Sequence, residues 1–83
     1  MSQNENGDKN TDNFLASLKS LRKIYNLSQK EMAEKLYMSE SSYCRKENGK
    51  SQFTQSDIEI ITKIFECPYH IMVKGIKNCL NRQ

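Results

Sequence analysis

Three polar side chains fall near the start or on the open face of one short predicted helix, at Glu40, Ser41 and Arg45. The guanidinium of arginine can donate two parallel hydrogen bonds, and the carboxylate of glutamate can accept a hydrogen bond from an amino group. The hydroxyl of serine can donate or accept. A helix fits the major groove of DNA, and its N-terminal residues are the ones that reach the base edges. The chemistry that this pattern offers is therefore hydrogen bonding to bases.

Patterns typical of catalytic or metal sites do not occur in the sequence. The serines of this helix have no His–Asp constellation to activate them, which argues against nucleophilic catalysis. The single histidine, His70, is interpreted as a surface or cap residue. Cys44, Cys67 and Cys79 are odd in number, widely spaced and without a CxxC pair, so we interpret them as free thiols. We expect no enzymatic activity, no metal site and no cofactor.

The stretch Ser28–Gly49 predicts two short helices joined by a tight corner. Ser28 and Ser39 each provide a hydroxyl N-cap, with an apolar residue four places further on. The second helix must therefore begin within about three residues of the end of the first, which is the spacing of a helix-turn-helix. Ala33 is small enough to let the two helices cross closely.

The same capping pattern occurs three times, as an apolar residue, Ser or Thr, two further residues, a polar residue and a second apolar residue. The copies cover residues 27–32, 38–43 and 53–58, and a weaker version around Pro68 covers 67–72. These starts predict helices over 29–36, 40–47, 55–65 and 69–74.

Before these helices, apolar residues from Phe14 to Tyr25 recur at spacings of three and four, which predicts an amphipathic helix over 12–25. Residues 1–11 are polar and are predicted to form a disordered arm. Residues 12–75 then form one domain, and 76–83 a C-terminal tail whose order the pattern leaves open. The fold class predicted is all-α, with five helices.

Composition agrees with a single small domain of 83 residues. No apolar run approaches the roughly 20 residues that span a bilayer, so we expect a cytoplasmic protein without membrane contact. The formal net charge of the chain is +3. Residues 1–13 have a net charge of −2, so the remaining residues have a net charge of +5. Such a domain attracts a polyanion, although the charge alone does not imply one.

Several short groups of residues between positions 21 and 50 form a recognisable series. They are Leu21-Arg22, Leu27-Ser28-Gln29, Met32-Ala33, Leu36 and Glu47-Asn48-Gly49-Lys50. Together they resemble the Cro and phage-repressor type of helix-turn-helix protein, the lambda repressor-like or XRE family. The resemblance covers about residues 18–72, because Ile64-Phe65 and Cys67–Met72 are similar to the closing helices of that family. It implies a five-helix lambda repressor-like DNA-binding domain.

The resemblance also implies roles for particular residues. Base edges would be contacted by Glu40, Ser41 and Arg45. Backbone phosphates would be contacted by Gln29, Ser39, Ser42, Asn48, Lys50 and Ser51. Arg22 and Glu47 would form an internal ion pair, and Gln29 would also brace the second helix of the motif.

The sequence departs from the family pattern at several positions. Tyr37 stands in the corner where the family usually has glycine, so a left-handed conformation there would be strained. Lys46 stands at a usually inward position, so either its stem packs and its ammonium reaches out, or the helix rotates. Tyr43 replaces a smaller aliphatic residue, and Glu66 replaces a helix-ending glycine. The charge of Glu40 lowers non-specific affinity for phosphate.

These observations predict a sequence-specific regulator of transcription, a repressor, that binds double-stranded DNA as a homodimer on a palindromic operator. The dimer surface is expected around Cys67–Ile76, which is rich in apolar residues. The alternative is a protein-interaction module, such as an antitoxin or antirepressor-like domain that uses the same fold.

Overall fold

The computed structural model describes residues 9–80. This part of the chain contains six α-helices and no β-strand. The helices are α1 (Lys9–Ile24), α2 (Gln29–Lys35), α3 (Glu40–Glu47), α4 (Gln55–Phe65), α5 (Tyr69–Met72) and α6 (Ile76–Leu80). The all-α fold class is confirmed. None of these helices has both the length and the apolar character required to cross a bilayer.

Helix α1 includes Lys9, whereas the sequence predicted a start at Asp12. The spacing of apolar residues shows which face of a helix is buried but not where the helix begins. A first turn that is polar and exposed is therefore not predicted by this spacing. The side-chain amide of Asn13 donates to the carbonyl of Val73 at 2.9 Å, which ties this turn to the other end of the domain. Residues 9–11 of the predicted arm are therefore helical, and the rest of that prediction lies outside the described residues.

Helices α1 to α4 all end in the same backbone arrangement. One residue just past the last turn of each helix has a left-handed φ, of 59° at Asn26, 60° at Tyr37, 82° at Gly49 and 52° at Glu66. The next amide then bonds back to the carbonyl five residues earlier, at 2.8–3.0 Å, which completes a Schellman motif. After α1, α2 and α4 the following residue already caps the next helix, at Ser28, Ser39 and Pro68. In these three connections no residue separates the end motif of one helix from the N-cap of the next.

The helices enclose one apolar core with α1 at its centre. Leu18, Met32, Tyr43, Ile61 and Met72 are fully buried, one from each of the first five helices. The hydroxyl of Ser17, also buried, donates to the carbonyl of Met72 at 2.7 Å. The core thus holds the helix-turn-helix pair against α1 and the closing helices.

The prediction of five helices was wrong, because the segment treated as a tail contains α6. Gly75, with φ of 119°, turns the chain between α5 and α6. Helix α6 packs on α1 and α5 and buries Cys79. Helix α6 has only five residues, and α1 is distant from it in sequence, so a local pattern carries little information about this packing. The preceding helix is correspondingly shorter than predicted and ends at Met72.

Candidate nucleic-acid interface

Helices α2 and α3 pack directly on each other as a helix-turn-helix. Ala33 is 1% exposed, in agreement with its predicted place at the crossing. Ser28 accepts from the amide of Glu31 at 3.0 Å, and the Glu31 carboxylate accepts from the amide of Ser28 at 2.8 Å. This capping box fixes the start of α2.

The corner between the two helices is made by Tyr37 and Met38. Tyr37 adopts the left-handed conformation despite its Cβ, and its side chain is 89% exposed. The amide of Met38 donates to the carbonyl of Ala33 at 3.0 Å, so the corner keeps the hydrogen bonds that a glycine would allow. The strain expected at this position is therefore present, and the tyrosine ring gains no burial that would offset it.

Helix α3 has one anchored face and one open face. Tyr43 and Glu47 are buried at 0% and 2% exposure. Glu40, Ser41 and Arg45 are all exposed on the same helix, so the structure brings together the three residues predicted to contact bases. The open face can therefore enter a groove without disturbing the core.

The serines at the start of α3 form a local network. Ser39 is the N-cap, and its hydroxyl oxygen accepts from the amide of Ser42 at 3.1 Å. The Ser39 hydroxyl lies 3.0 Å from that of Ser42, to which it donates, and 3.4 Å from that of Ser41. All three side chains are exposed, so they retain hydrogen-bonding capacity toward a ligand.

At the other end of α3, Asn48 is the C-cap and Gly49 holds the left-handed position that ends the helix. Asn48 and Lys50 are exposed, while Ser51 is half-buried. The predicted phosphate contacts thus lie at the two ends of α3, together with Gln29 at the start of α2. These residues thus flank the open face of α3.

A buried carboxylate joins the first three helices. Glu47 Oε2 accepts from Arg22 Nε at 2.8 Å and from the Tyr43 hydroxyl at 2.6 Å, and Oε1 accepts from Gln29 Nε2 at 3.0 Å. Arg22 also donates to the carbonyl of Leu27 at 2.9 Å. The ion pair implied by the resemblance is thus present, and it includes two further donors.

The hydrogen bonds to Glu47 outweigh its desolvation. Burial acts to raise the pKa of Glu47, but the bonds from Tyr43, Arg22 and Gln29 lower it below the ordinary value of 4.5. Burial first, and then the adjacent carboxylate of Glu47, raise the pKa of Tyr43. Near neutral pH the group therefore consists of a charged Glu47 and a protonated Tyr43.

Gln29 is held at both ends of its amide. Its Nε2 donates to Glu47, and its Oε1 accepts from the thiol of Cys44 at 3.2 Å. An amide nitrogen carries two hydrogens, so one donor remains available. The bracing role implied for Gln29 is seen directly. The contact with Cys44 was missed, because a thiol on the outward-facing side of a helix is a weak sequence signal.

The side chain of Lys46 is only 20% exposed, and its ammonium is paired. Its Nζ lies 3.0 Å from Asp57 Oδ2 and 5.9 Å from the centre of the Phe53 ring. Asp57 also accepts from the amide of Thr54 at 2.9 Å, in the capping box that begins α4. Burial acts to raise the pKa of Asp57, but the bonds from Thr54 and Lys46 lower it. The sequence left the conformation of Lys46 open, and the ion pair with Asp57, the third residue of α4, decides it.

Comparison with known proteins agrees with this architecture. A family model described as helix-turn-helix matches residues 18–71, which is more than half of the chain. The curated proteins and the solved structures gave no match. The match includes both helices of the motif and the Arg22–Glu47 pair, and it ends within α5. The chain belongs to the XRE/lambda-repressor-like helix-turn-helix family of DNA-binding proteins.

Proposed function

We propose that this protein is a sequence-specific regulator of transcription that inserts α3 into the major groove of double-stranded DNA. The observation that carries the proposal is the division of α3 into a face anchored by Tyr43 and Glu47 and an exposed face with Glu40, Ser41 and Arg45. A rigid helix with polar side chains free on its outer face is the geometry used for direct reading of bases.

Each exposed side chain matches a particular base edge. Arg45 donates two hydrogen bonds to O6 and N7 of guanine, and Glu40 accepts from the amino group of cytosine. Ser41 accepts or donates and so is less selective. Each good contact discriminates against a wrong base by roughly 1–3 kcal/mol. The negative charge of Glu40 reduces non-specific binding, so base contacts carry a larger share of the affinity.

The residues at the two ends of α3 and at the start of α2 position the protein on the backbone. Gln29 offers its second amide hydrogen to a phosphate, and the first-turn amides of α2 add further donors. The other phosphate contacts are Ser39, Ser42, Asn48, Lys50 and Ser51. Lys50 is the charged member of this set, and it contributes most to the dependence of binding on salt.

The functional unit is a homodimer on a palindromic operator. One chain offers one α3, and two half-sites about 34–36 Å apart on one face of DNA need two of them. The dimer surface lies in residues 67–76, where Tyr69 is 39% exposed and Ile71 and Val73 are half-buried. A small domain that covers its operator can act by occupancy alone, so we assign repression.

Salt-dependent gel shift on a pool of random duplexes tests the proposal. We expect binding that falls steeply with salt, together with enrichment of a sequence with two-fold symmetry. No enrichment at any salt concentration would contradict sequence-specific binding, and it would favour the alternative of a protein-interaction module with the same fold.

A further inference from the structure

Two of the three cysteines lie side by side, although twelve positions separate them in the chain. The thiol of Cys67 points at Cys79 with 2.8 Å between the two sulfurs, and the side chains are 2% and 7% exposed. Cys67 follows the left-handed residue Glu66 that ends α4, and Cys79 lies on α6. The fold therefore brings the last helix against the corner between α4 and α5 through this pair.

A disulfide bond is about 2.05 Å long, so the two sulfurs need to approach each other by less than about 1 Å to form one. Both residues belong to short or terminal elements, since α6 has five residues and Cys67 lies in a connection. Such elements adjust more easily than the middle of a long helix. The shift that the bond requires is therefore one between two short segments and not within a long helix.

The pair is buried but not sealed. Cys67 and Cys79 both line a groove of about 330 Å³ between α1, the end of α4 and α6. Ile24, Tyr25 and Leu80 border the groove and remain about half exposed. The groove therefore gives a small oxidant a route to the pair, whereas a large protein thiol meets the surrounding side chains first.

We propose that Cys67 and Cys79 form a redox-responsive site that a peroxide converts to an intramolecular disulfide. One thiolate attacks the peroxide oxygen, its sulfur becomes a sulfenic acid, and the other peroxide oxygen leaves as hydroxide. The second thiol then attacks that sulfur, the S–S bond forms, and the sulfenic hydroxyl leaves as water. Two thiols and one hydrogen peroxide thus yield one disulfide and two waters, and a dithiol reverses the oxidation.

The bond encloses α5 within a covalent loop from residue 67 to residue 79 and joins α6 to the end of α4. Closing a loop of this size removes conformations mainly from the unfolded chain, which stabilises the folded state. For a domain of this length the expected rise in melting temperature is on the order of 10 °C. Redox state thus sets the stability of the folded domain against unfolding.

Tryptic mapping of the folded full chain tests the proposal. Each thiol falls in its own peptide, with Cys44 in 36–45, Cys67 in 64–74 and Cys79 in 78–82. After stoichiometric hydrogen peroxide and alkylation, we expect 64–74 joined to 78–82, two hydrogens lighter than the sum of the free peptides. Dithiothreitol should separate them, and Cys44 provides the internal reference as an unlinked peptide.

Two results would overturn the proposal. One is alkylation of both Cys67 and Cys79 at a peroxide dose that has already oxidised Cys44. The other is a link from either residue to Cys44 or to a second chain in place of the internal pair. Cys67→Ser and Cys79→Ser should each abolish the rise in melting temperature, and because the peptide map uses the unaltered chain, it decides the question even where a variant folds poorly.

Discussion

Glu47 is the residue on which the arrangement of the first three helices depends. It accepts hydrogen bonds from Arg22 on α1, Gln29 on α2 and Tyr43 on α3 itself. A carboxylate with this many donors stays ionised although it is only 2% exposed. The proposed phosphate contact of Gln29 therefore depends on a charge buried inside the domain.

The lowered pKa of Glu47 makes a pH-dependent contribution to stability. Because its pKa in the folded state lies below the ordinary value of 4.5, the contribution is complete above that pH and is lost as pH falls through the folded pKa. We expect Glu47→Gln to lower the free energy of unfolding by about 2 kcal/mol at pH 7, since bonds to a charged acceptor are replaced by neutral ones. Urea midpoints at pH 7 and pH 3 should show the difference shrinking in acid.

The control for this substitution is Glu59→Gln, which changes an exposed carboxylate on α4. It should leave the urea midpoint nearly unchanged at both pH values. An equal loss of stability from Glu47→Gln at pH 7 and pH 3 would show that the charge of Glu47 is not what its partners stabilise.

Tyr37 has an unfavourable backbone conformation at the corner of the helix-turn-helix. Its φ of 60° is unfavourable for a residue with a Cβ, and its 89% exposure leaves the ring almost without contacts. We expect Tyr37→Gly to raise the free energy of unfolding by about 0.5–1 kcal/mol, because relief of the strain exceeds the added entropy of the unfolded chain. Thermal melting of Tyr37→Gly and Tyr37→Ala tests this, and equal melting temperatures would contradict it, since alanine keeps the strain.

At the scale of elements, the helices that begin with a hydroxyl cap are what the sequence predicted best. Helices α3 and α4 have the predicted bounds, and α2 ends one residue early, because hydroxyl caps and their partners are local signals. Helix α6 was not predicted, since Cys79 is buried by residues far away in sequence. The Lys46–Asp57 and Cys67–Cys79 contacts were not predicted for the same reason. The exposed positions of Glu40, Ser41 and Arg45 follow from the helical period once Tyr43 packs inward.

The Arg22–Glu47 pair connects α1 to α3, so its loss should lower the stability of the whole helix-turn-helix. We expect Arg22→Ala to lower the free energy of unfolding by about 3 kcal/mol, because it leaves a buried carboxylate without its cation. For a domain of this size that corresponds to a fall in melting temperature of more than about 10 °C. Lys23→Ala, at the exposed neighbouring position, is the matched control. An unchanged melting temperature for Arg22→Ala would contradict the importance of the pair.

At the scale of the whole molecule, the proposed homodimer places two copies of α3 on one face of DNA. We expect light scattering at high micromolar concentration to give the mass of two chains, with DNA absent or present. Ile71→Glu adds a charge to the proposed dimer surface and should yield monomers that bind DNA at least tenfold more weakly. A monomeric mass for the unaltered chain under both conditions would contradict the dimer.

The central claim is that the exposed face of α3 specifies the DNA sequence while flanking residues bind the backbone. Selection from a random duplex library, with the unaltered chain, Arg45→Ala and Lys50→Ala in parallel, tests it most directly. Arg45→Ala should lose the preference for guanine at one position of each half-site. Lys50→Ala should keep the same preferred sequence, bind it more weakly and lower the salt slope by about two units, one for each half-site of the dimer. An unchanged base preference in Arg45→Ala would contradict the claim.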